Sequence, residues 1–402
     1  MPFCPSYSGG GPMKICARTT IRMKNQIVTF AALTCALSLL GPAQTAEVSR
    51  GHFEELANGT RIEAIELSNA GGVTARIIAL GATLQSLSVP DRHGVSADIV
   101  LGYSRAEEYL ENPQYFGATV GRYANRIAGG RFPLDGMDYS LPANDGNNHL
   151  HGGHRGLDKV VWQVESVTSR PAGAKVVLSH RSPDGDQGYP GTLDIKAIYK
   201  LNDQNELAVE YRATTDKPTI VNLTNHAYFN LTGEAAVHDI MDHRLTLFAD
   251  RYTPVDETLI PTGELRKVAG TVFDFREAKA IGQRIRDGSE EQIRFGRGYD
   301  HNFVINGPAG ELRPGARVED PDSGRVMEVL TTAPGIQFYS GNFLNGTTVG
   351  KSGRVYRQGD ALCLEPQLYP DSPNQPDFPS ARLDPGDTYV NKMVFRFSTA
   401  SP

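Results

Sequence analysis

The stretch Leu193-Asp194-Ile195-Lys196-Ala197-Ile198-Tyr199-Lys200-Leu201 alternates, with Leu193, Ile195, Tyr199 and Leu201 on one face. The turn formers Asn202-Asp203-Gln204-Asn205 follow, and then Leu207, Val209 and Tyr211 alternate with Glu206, Glu210 and Arg212. A period of two belongs to a strand with one buried face, so these runs predict an antiparallel hairpin. Outward from it, further strands are expected at 74–80, 175–179, 245–249, 327–331, 336–339 and 392–398. Helical period is scarce, with a turn or two expected near 277–285. Gly and Pro, 42 and 25 of 402 residues, punctuate the chain without forming a linker, and no internal repeat is evident. The expectation is all-β: a large antiparallel β-sandwich in a single domain.

The first 46 residues stand apart. Lys14, Arg18, Arg22 and Lys24 have no acidic counterpart there, an apolar run IVTFAALTCALSLL (27–40) follows, and Gly41-Pro42-Ala43-Gln44-Thr45-Ala46 closes the segment. A basic start, a short apolar centre and a small-residue exit predict a secretory signal peptide over 1–46, cleaved near Ala43 or Ala46. The apolar run is short for a membrane span, so the expected protein is periplasmic or secreted, without a stable membrane anchor. Losing those four cations takes the net charge from −6 to −10. Cys4, Cys16 and Cys35 leave too, so only Cys363 remains in 47–402 and no internal disulfide is possible. An acidic chain of this kind lacks the basic stripe of a nucleic-acid binder.

Five clusters are too polar and too specific for filler. In GATVGRYANRI (117–127), Arg122, Asn125 and Arg126 stand among small residues. In NNHLHGG (147–153), His149 and His151 point to one side if the segment is extended, and the glycines allow close approach. No cysteine or carboxylate at zinc spacing accompanies them, so no metal is expected. In VNLTNHAYFNL (221–231), read as a strand, Asn222, Thr224, His226 and Tyr228 share a face, as on the floor of a polar cleft. Asn222 and Asn230 begin glycosylation triplets, but a packed row is a poor acceptor. In GYDHNF (298–303) the notable group is Asp300. In LCLEPQLYPDSPN (362–374), Glu365 reads as a carboxylate at a strand end beside Pro366. Apolar surroundings raise a carboxyl above its ordinary ~4.3 and make it a usable base near neutrality.

At these clusters the chain resembles the aldose 1-epimerase (galactose mutarotase) family. The resemblance is carried by GRYANRI, NHLHGG, NLTNHAYFNL, GYDHNF, PGIQFY (334–339) and LEPQLYPDSPNQP (364–376), in order, with VDETLIPTGE (255–264) and SPDGDQGYPG (182–191) in support. It covers the chain from about Gly51 onward. It implies a large antiparallel sandwich and interconversion of the α and β anomers of a free monosaccharide, without cofactor or metal. Glu365 then corresponds to the base and His226 to the acid, while Asn125, Arg126, His151, Asp300 and Gln337 hold sugar hydroxyls. Tyr228, on the face of His226, joins the substrate-contacting set. His149 has no counterpart in the family. Pro366 and Leu368 stand where members vary.

The chemistry suits the pair. Ring opening removes the C1 hydroxyl proton while the ring oxygen gains one, and reclosure after rotation about C1–C2 gives the other anomer. Reference values of ~4.3 and ~6.5 leave a window with the carboxylate ionised and the imidazole protonated, and a neighbouring Asp300 is expected to widen it by favouring charged His226. Two other classes use similar ingredients: a glycoside hydrolase with Glu365 and Asp300 as paired carboxylates, in which His226 has no role, and a non-catalytic sugar-binding module on the same sandwich. A relative acting on sugar phosphates needs more cations than Arg122 and Arg126.

Overall fold

Alternation of buried and exposed positions along Leu193–Leu201 runs the full strand, and Leu201 pairs with Leu207 across the turn. This computed structural model describes residues 46–170 and 173–401; the expected signal peptide lies, but for Ala46, outside them. The hairpin supplies the third and fourth strands of a nine-stranded sheet. Its order is Gln163–Arg170, Gly173–Ser182, Leu193–Leu201, Glu206–Thr215, Tyr389–Thr399, Arg325–Thr331, Arg313–Glu319, Arg244–Leu247 and Lys279–Ala280, antiparallel throughout. The last long strand thus inserts beside the hairpin rather than at an edge.

A six-stranded antiparallel sheet carries Tyr228, Asp300, Gln337 and Glu365. It runs Tyr228–Phe229, Leu362–Gln367, Gly335–Tyr339, Asp300–Ile305, Ala249–Tyr252 and Arg266–Lys267. A five-stranded sheet spans Glu47–Glu55 to Ser96–Asp98. One continuous hydrophobic cluster draws residues from all three sheets, among them Ile65, Tyr199, Phe338 and Phe395. A smaller cluster of Tyr123, Ile127, Phe132 and Tyr189 lies beneath the loop carrying Asn125 and Arg126. The all-β expectation holds, and burial of this kind is what stabilises a chain whose described cysteine, Cys363, is free.

Three local expectations change. Residues 245–249 are two strands, Arg244–Leu247 and Ala249–Tyr252, which belong to different sheets, so the chain changes sheet at Phe248. Residues 277–285 hold a two-residue strand and a single 3-10 turn, Ile281–Gln283. The α-helices among the described residues are Ala106–Glu111 and Glu291–Gly296, each too short to display a helical period in sequence. Glu365 lies inside the strand Leu362–Gln367, which continues through Pro366. Beyond Cys363 that strand is paired only on its Gly335–Tyr339 side, and a proline is tolerated on such an open edge.

Candidate active site

Antiparallel register assembles the floor. One row across the six-stranded sheet reads Asp300, Tyr339, Cys363, Tyr228, and the next reads Asn302, Gln337, Glu365. Residues two apart on a strand share a face, so Asp300, Cys363 and Glu365 stand together although they are distant in sequence. His226 sits just before Tyr228, in a break between two short pairings: Thr224–Asn225 with Thr119–Val120, and Tyr228–Phe229 with Leu362–Cys363. Its main chain is tied on both sides, with N–H donating to the Ala118 carbonyl and C=O accepting from Gly117, each at 2.9 Å.

These residues open into a cavity of about 270 Å³ lined by Asn125, Arg126, His151, His226, Tyr228, Asp300 and Glu365, with Tyr115, Asp145, Tyr339 and Phe343. That is close to the lower end of ordinary small-molecule pockets, ~300–1,000 Å³. His226 Nε2 and Glu365 Oε2 are 3.7 Å apart, with side chains 6% and 2% exposed. Glu365 Oε2 has no hydrogen-bond partner among the described residues, so it is free to take one from a ligand. The His226 ring stacks with Tyr228 (centroids 5.0 Å, planes 14° apart) and with Tyr115 (5.9 Å, 18°), and aromatic faces suit an imidazolium.

Burial dominates the electrostatics. It pushes Glu365 well above the usual carboxyl range, with the Asp300 carboxyl adding to the rise and Arg126 opposing it. It lowers His226 to about 4. The expectation that Asp300 acts on His226 is therefore corrected: its charge is felt by Glu365. The order is also reversed, because desolvation penalises both charged forms and drives acid and base values past each other. Asp300 is itself raised by burial, against the pull of Arg126 and of the Gln337 amide.

His151 has φ +50°, so the segment is not extended and its two histidines part. The Asn125 N–H donates to His151 Nδ1 at 3.1 Å, which leaves the proton on Nε2. Burial, aided by the neighbouring His226, keeps His151 neutral by lowering it well below its ordinary value. His149 is held away from the cleft, Nδ1 on the Pro142 carbonyl at 2.7 Å and Nε2 on Tyr189 Oη at 2.6 Å. Close approach at the glycines is by backbone: a Cβ on Gly152, φ +89°, would lie 1.8 Å from the Gly121 carbonyl oxygen. Arg126 Nε pairs with Asp145 at 2.7 Å on the cavity wall.

Two residues play other parts than expected. Arg122 is buried outside the cleft, where its guanidinium donates to the carbonyls of Ser182, Pro183, Pro190 and Gly191. Gln337 does not line the cavity; its Nε2 donates to Asp300 Oδ1 at 2.7 Å and so steadies Asp300 from behind. Asn222, seen on the polar row, braces the Arg122–Asn125 loop through the Ala124 carbonyl and is fully buried, as is Asn230. Tyr115, Asp145 and Phe343 were not anticipated. Tyr115 (φ +57°) shares the left-handed region with Asn125 (φ +63°) and His151, conformations that cost energy and gather where a site demands them.

His226, Cys363 and Glu365 offer one donor atom each within 4.8 Å, the one such three-residue group among the described residues. Burial holds that thiol protonated, and Asp300 and Glu365 reinforce the effect, so the set is poorly prepared for a divalent ion.

The aldose 1-epimerase family profile matches residues 63–396. Galactose mutarotase of Rattus norvegicus is 47% identical over 354 residues, 88% of this chain and 99% of that protein. Aldose 1-epimerase of Escherichia coli K12 is 40% identical over 343 residues, 85% and 96% respectively. The crystal structure of galactose 1-epimerase from Lactobacillus acidophilus superposes with a TM-score of 0.78 at 31% identity, covering 89% of this chain and all of that one. With its sandwich, its polar cavity and this extent of similarity, the chain belongs to the aldose 1-epimerase family.

Proposed function

We propose that this enzyme interconverts the α and β anomers of a free aldose, with His226 and Glu365 exchanging protons with the sugar and Asn125, Arg126, His151, Tyr228 and Asp300 holding it. The observation that carries this reading is the His226–Glu365 pair, 3.7 Å apart on the floor of a monosaccharide-sized cavity. Glu365 takes the proton of the C1 hydroxyl while His226 Nε2 gives one to the ring oxygen. The C1–O5 bond breaks, and C1 becomes the carbonyl carbon of the open chain. After rotation about C1–C2, the O5 hydroxyl attacks the other carbonyl face, and both protons return by the reverse path.

Ring opening converts carboxylate and imidazolium into carboxyl and imidazole, and closure converts them back. The two arrangements hold the same single proton. Burial favours the neutral arrangement in the empty cleft, and sugar hydroxyls at Glu365 Oε2 replace the missing solvation of the charged one. Asp300 belongs with binding: its Oδ1 is engaged by Gln337, and a hydrolase pairing of Glu365 with Asp300 leaves the buried, stacked His226 without a task. The wall's arginine is paired with Asp145, which speaks for a neutral sugar over a phosphorylated one.

Polarimetric relaxation of freshly dissolved α-glucose and α-galactose tests the reading. Acceleration that disappears in His226→Asn and Glu365→Gln is expected; reducing sugar released from a glycoside, without that acceleration, would overturn it. We also infer that the protein acts outside the cytoplasm, on the strength of the basic, apolar and small-residue pattern over 1–46. Mass spectrometry of the N-terminus from a periplasmic fraction, beginning near Gln44 or Glu47, is the corresponding measurement.

A further inference from the structure

Nδ1, the other nitrogen of the His226 ring, lies 3.5 Å from the sulfur of Cys363. Cys363 is fully buried. It pairs with Tyr228 across the ladder and precedes Glu365 by two residues on one strand, so thiol and carboxyl project from the same face. The imidazole is thereby met at both nitrogens by one strand: Nδ1 by Cys363, and Nε2 by Glu365.

The geometry points to Cys363 as a positioning residue for His226: its sulfur accepts a hydrogen bond from Nδ1–H, so that Nε2 is the nitrogen that gains and loses the catalytic proton. Which imidazole nitrogen titrates is decided by the bond the other one makes, and a thiol sulfur is a weak but sufficient acceptor. The groups facing the ring are Tyr115, Tyr228, His151, Cys363 and Glu365. Burial holds the thiol protonated, so the contact brings no charge against Glu365. With the tautomer reversed, a proton already on Nε2 would prevent that atom from accepting one from the ring-opened sugar.

The inference rests on His226 being the acid of the proposed reaction, and the experiment separates the two. Turnover of galactose is measured by polarimetry for His226→Asn, Cys363→Ala and Cys363→Ser. Removing the acceptor leaves a buried N–H unsatisfied and is expected to lower kcat about tenfold, with KM within about twofold because the sugar contacts remain. Serine, whose hydroxyl also accepts, is expected to restore most of kcat. An inactive His226→Asn beside a Cys363→Ala with parental kcat would overturn the role of Cys363 alone. An active His226→Asn would overturn the acid–base reading itself. Equal loss in alanine and serine variants would reduce Cys363 to packing. Independently of any variant, nitrogen NMR of the histidine-labelled parent near neutrality is expected to find the His226 ring protonated at Nδ1. An Nε2-protonated ring would sink the inference.

Discussion

His226 and Glu365 approach to 3.7 Å inside the protein, yet each is driven toward its uncharged form, the imidazole to about 4 and the carboxyl well above its usual range. The pair therefore holds one proton over a wide span and titrates as a unit. Below about pH 4 it gains a second proton and loses its base; above the raised Glu365 value it loses its only one. The rate is expected to be a bell with a broad top and an acid limb near that lower value. A kcat/KM–pH profile, which reports the free enzyme, whose acid limb falls near the ordinary histidine value, ~6.5, would contradict this order.

Glu365→Gln is expected to cost roughly 10²–10⁴-fold in kcat, the usual worth of a positioned acid–base group. The variant is also expected to gain stability relative to the parent as pH rises. With a raised folded value, the folded parent binds a proton that the unfolded chain has released, so the parent loses stability through the interval above the unfolded value. Glutamine does not titrate. Thermal unfolding of both proteins across that interval reads the effect, expected as a Tm difference that opens toward alkaline pH.

Asp300→Asn removes the carboxyl that adds to the rise of Glu365. The alkaline limb of the rate profile is expected to move to lower pH, while the acid limb, set by His226, stays in place. Sugar binding is expected to weaken as well, visible as a higher KM. An unmoved alkaline limb would remove Asp300 from the electrostatics of the pair.

Arg122→Ala tests the reassignment of that residue to structure. Four carbonyls, three of them in buried bonds, lose a charged donor, which is expected to cost about 2–4 kcal/mol. Chemical denaturation measures this, and the KM for galactose of the folded enzyme is expected to stay near the parent value. A selective rise in KM at unchanged stability would return Arg122 to the cleft.

Residues with a one-sided environment are legible in the sequence. Leu193, Ile195, Tyr199 and Leu201 are all buried, because a strand with one face in the core must alternate. The polar motifs also supply Asn125, Arg126, His151, His226, Tyr228, Asp300 and Glu365, which line one cavity. Tyr115 escaped notice, since its value lies in stacking on His226, 111 positions away, and no local pattern records that. Arg122 and Arg126 look alike in GRYANRI. In the fold one guanidinium lies on the carbonyls of the 182–191 loop and the other on the cavity wall.

The sequence by itself determined the class of fold and the chemical types present at the site, because strand periodicity, turn residues and short polar motifs are local properties of the chain. Tertiary structure alone decided how those groups ionise and which nitrogen or oxygen each presents. Desolvation, the separation of His226 from Glu365, and the contacts of Asp300 and Cys363 depend on cross-strand register between distant segments. Electrostatic energies vary with distance and surrounding dielectric, and neither exists until the strands have paired.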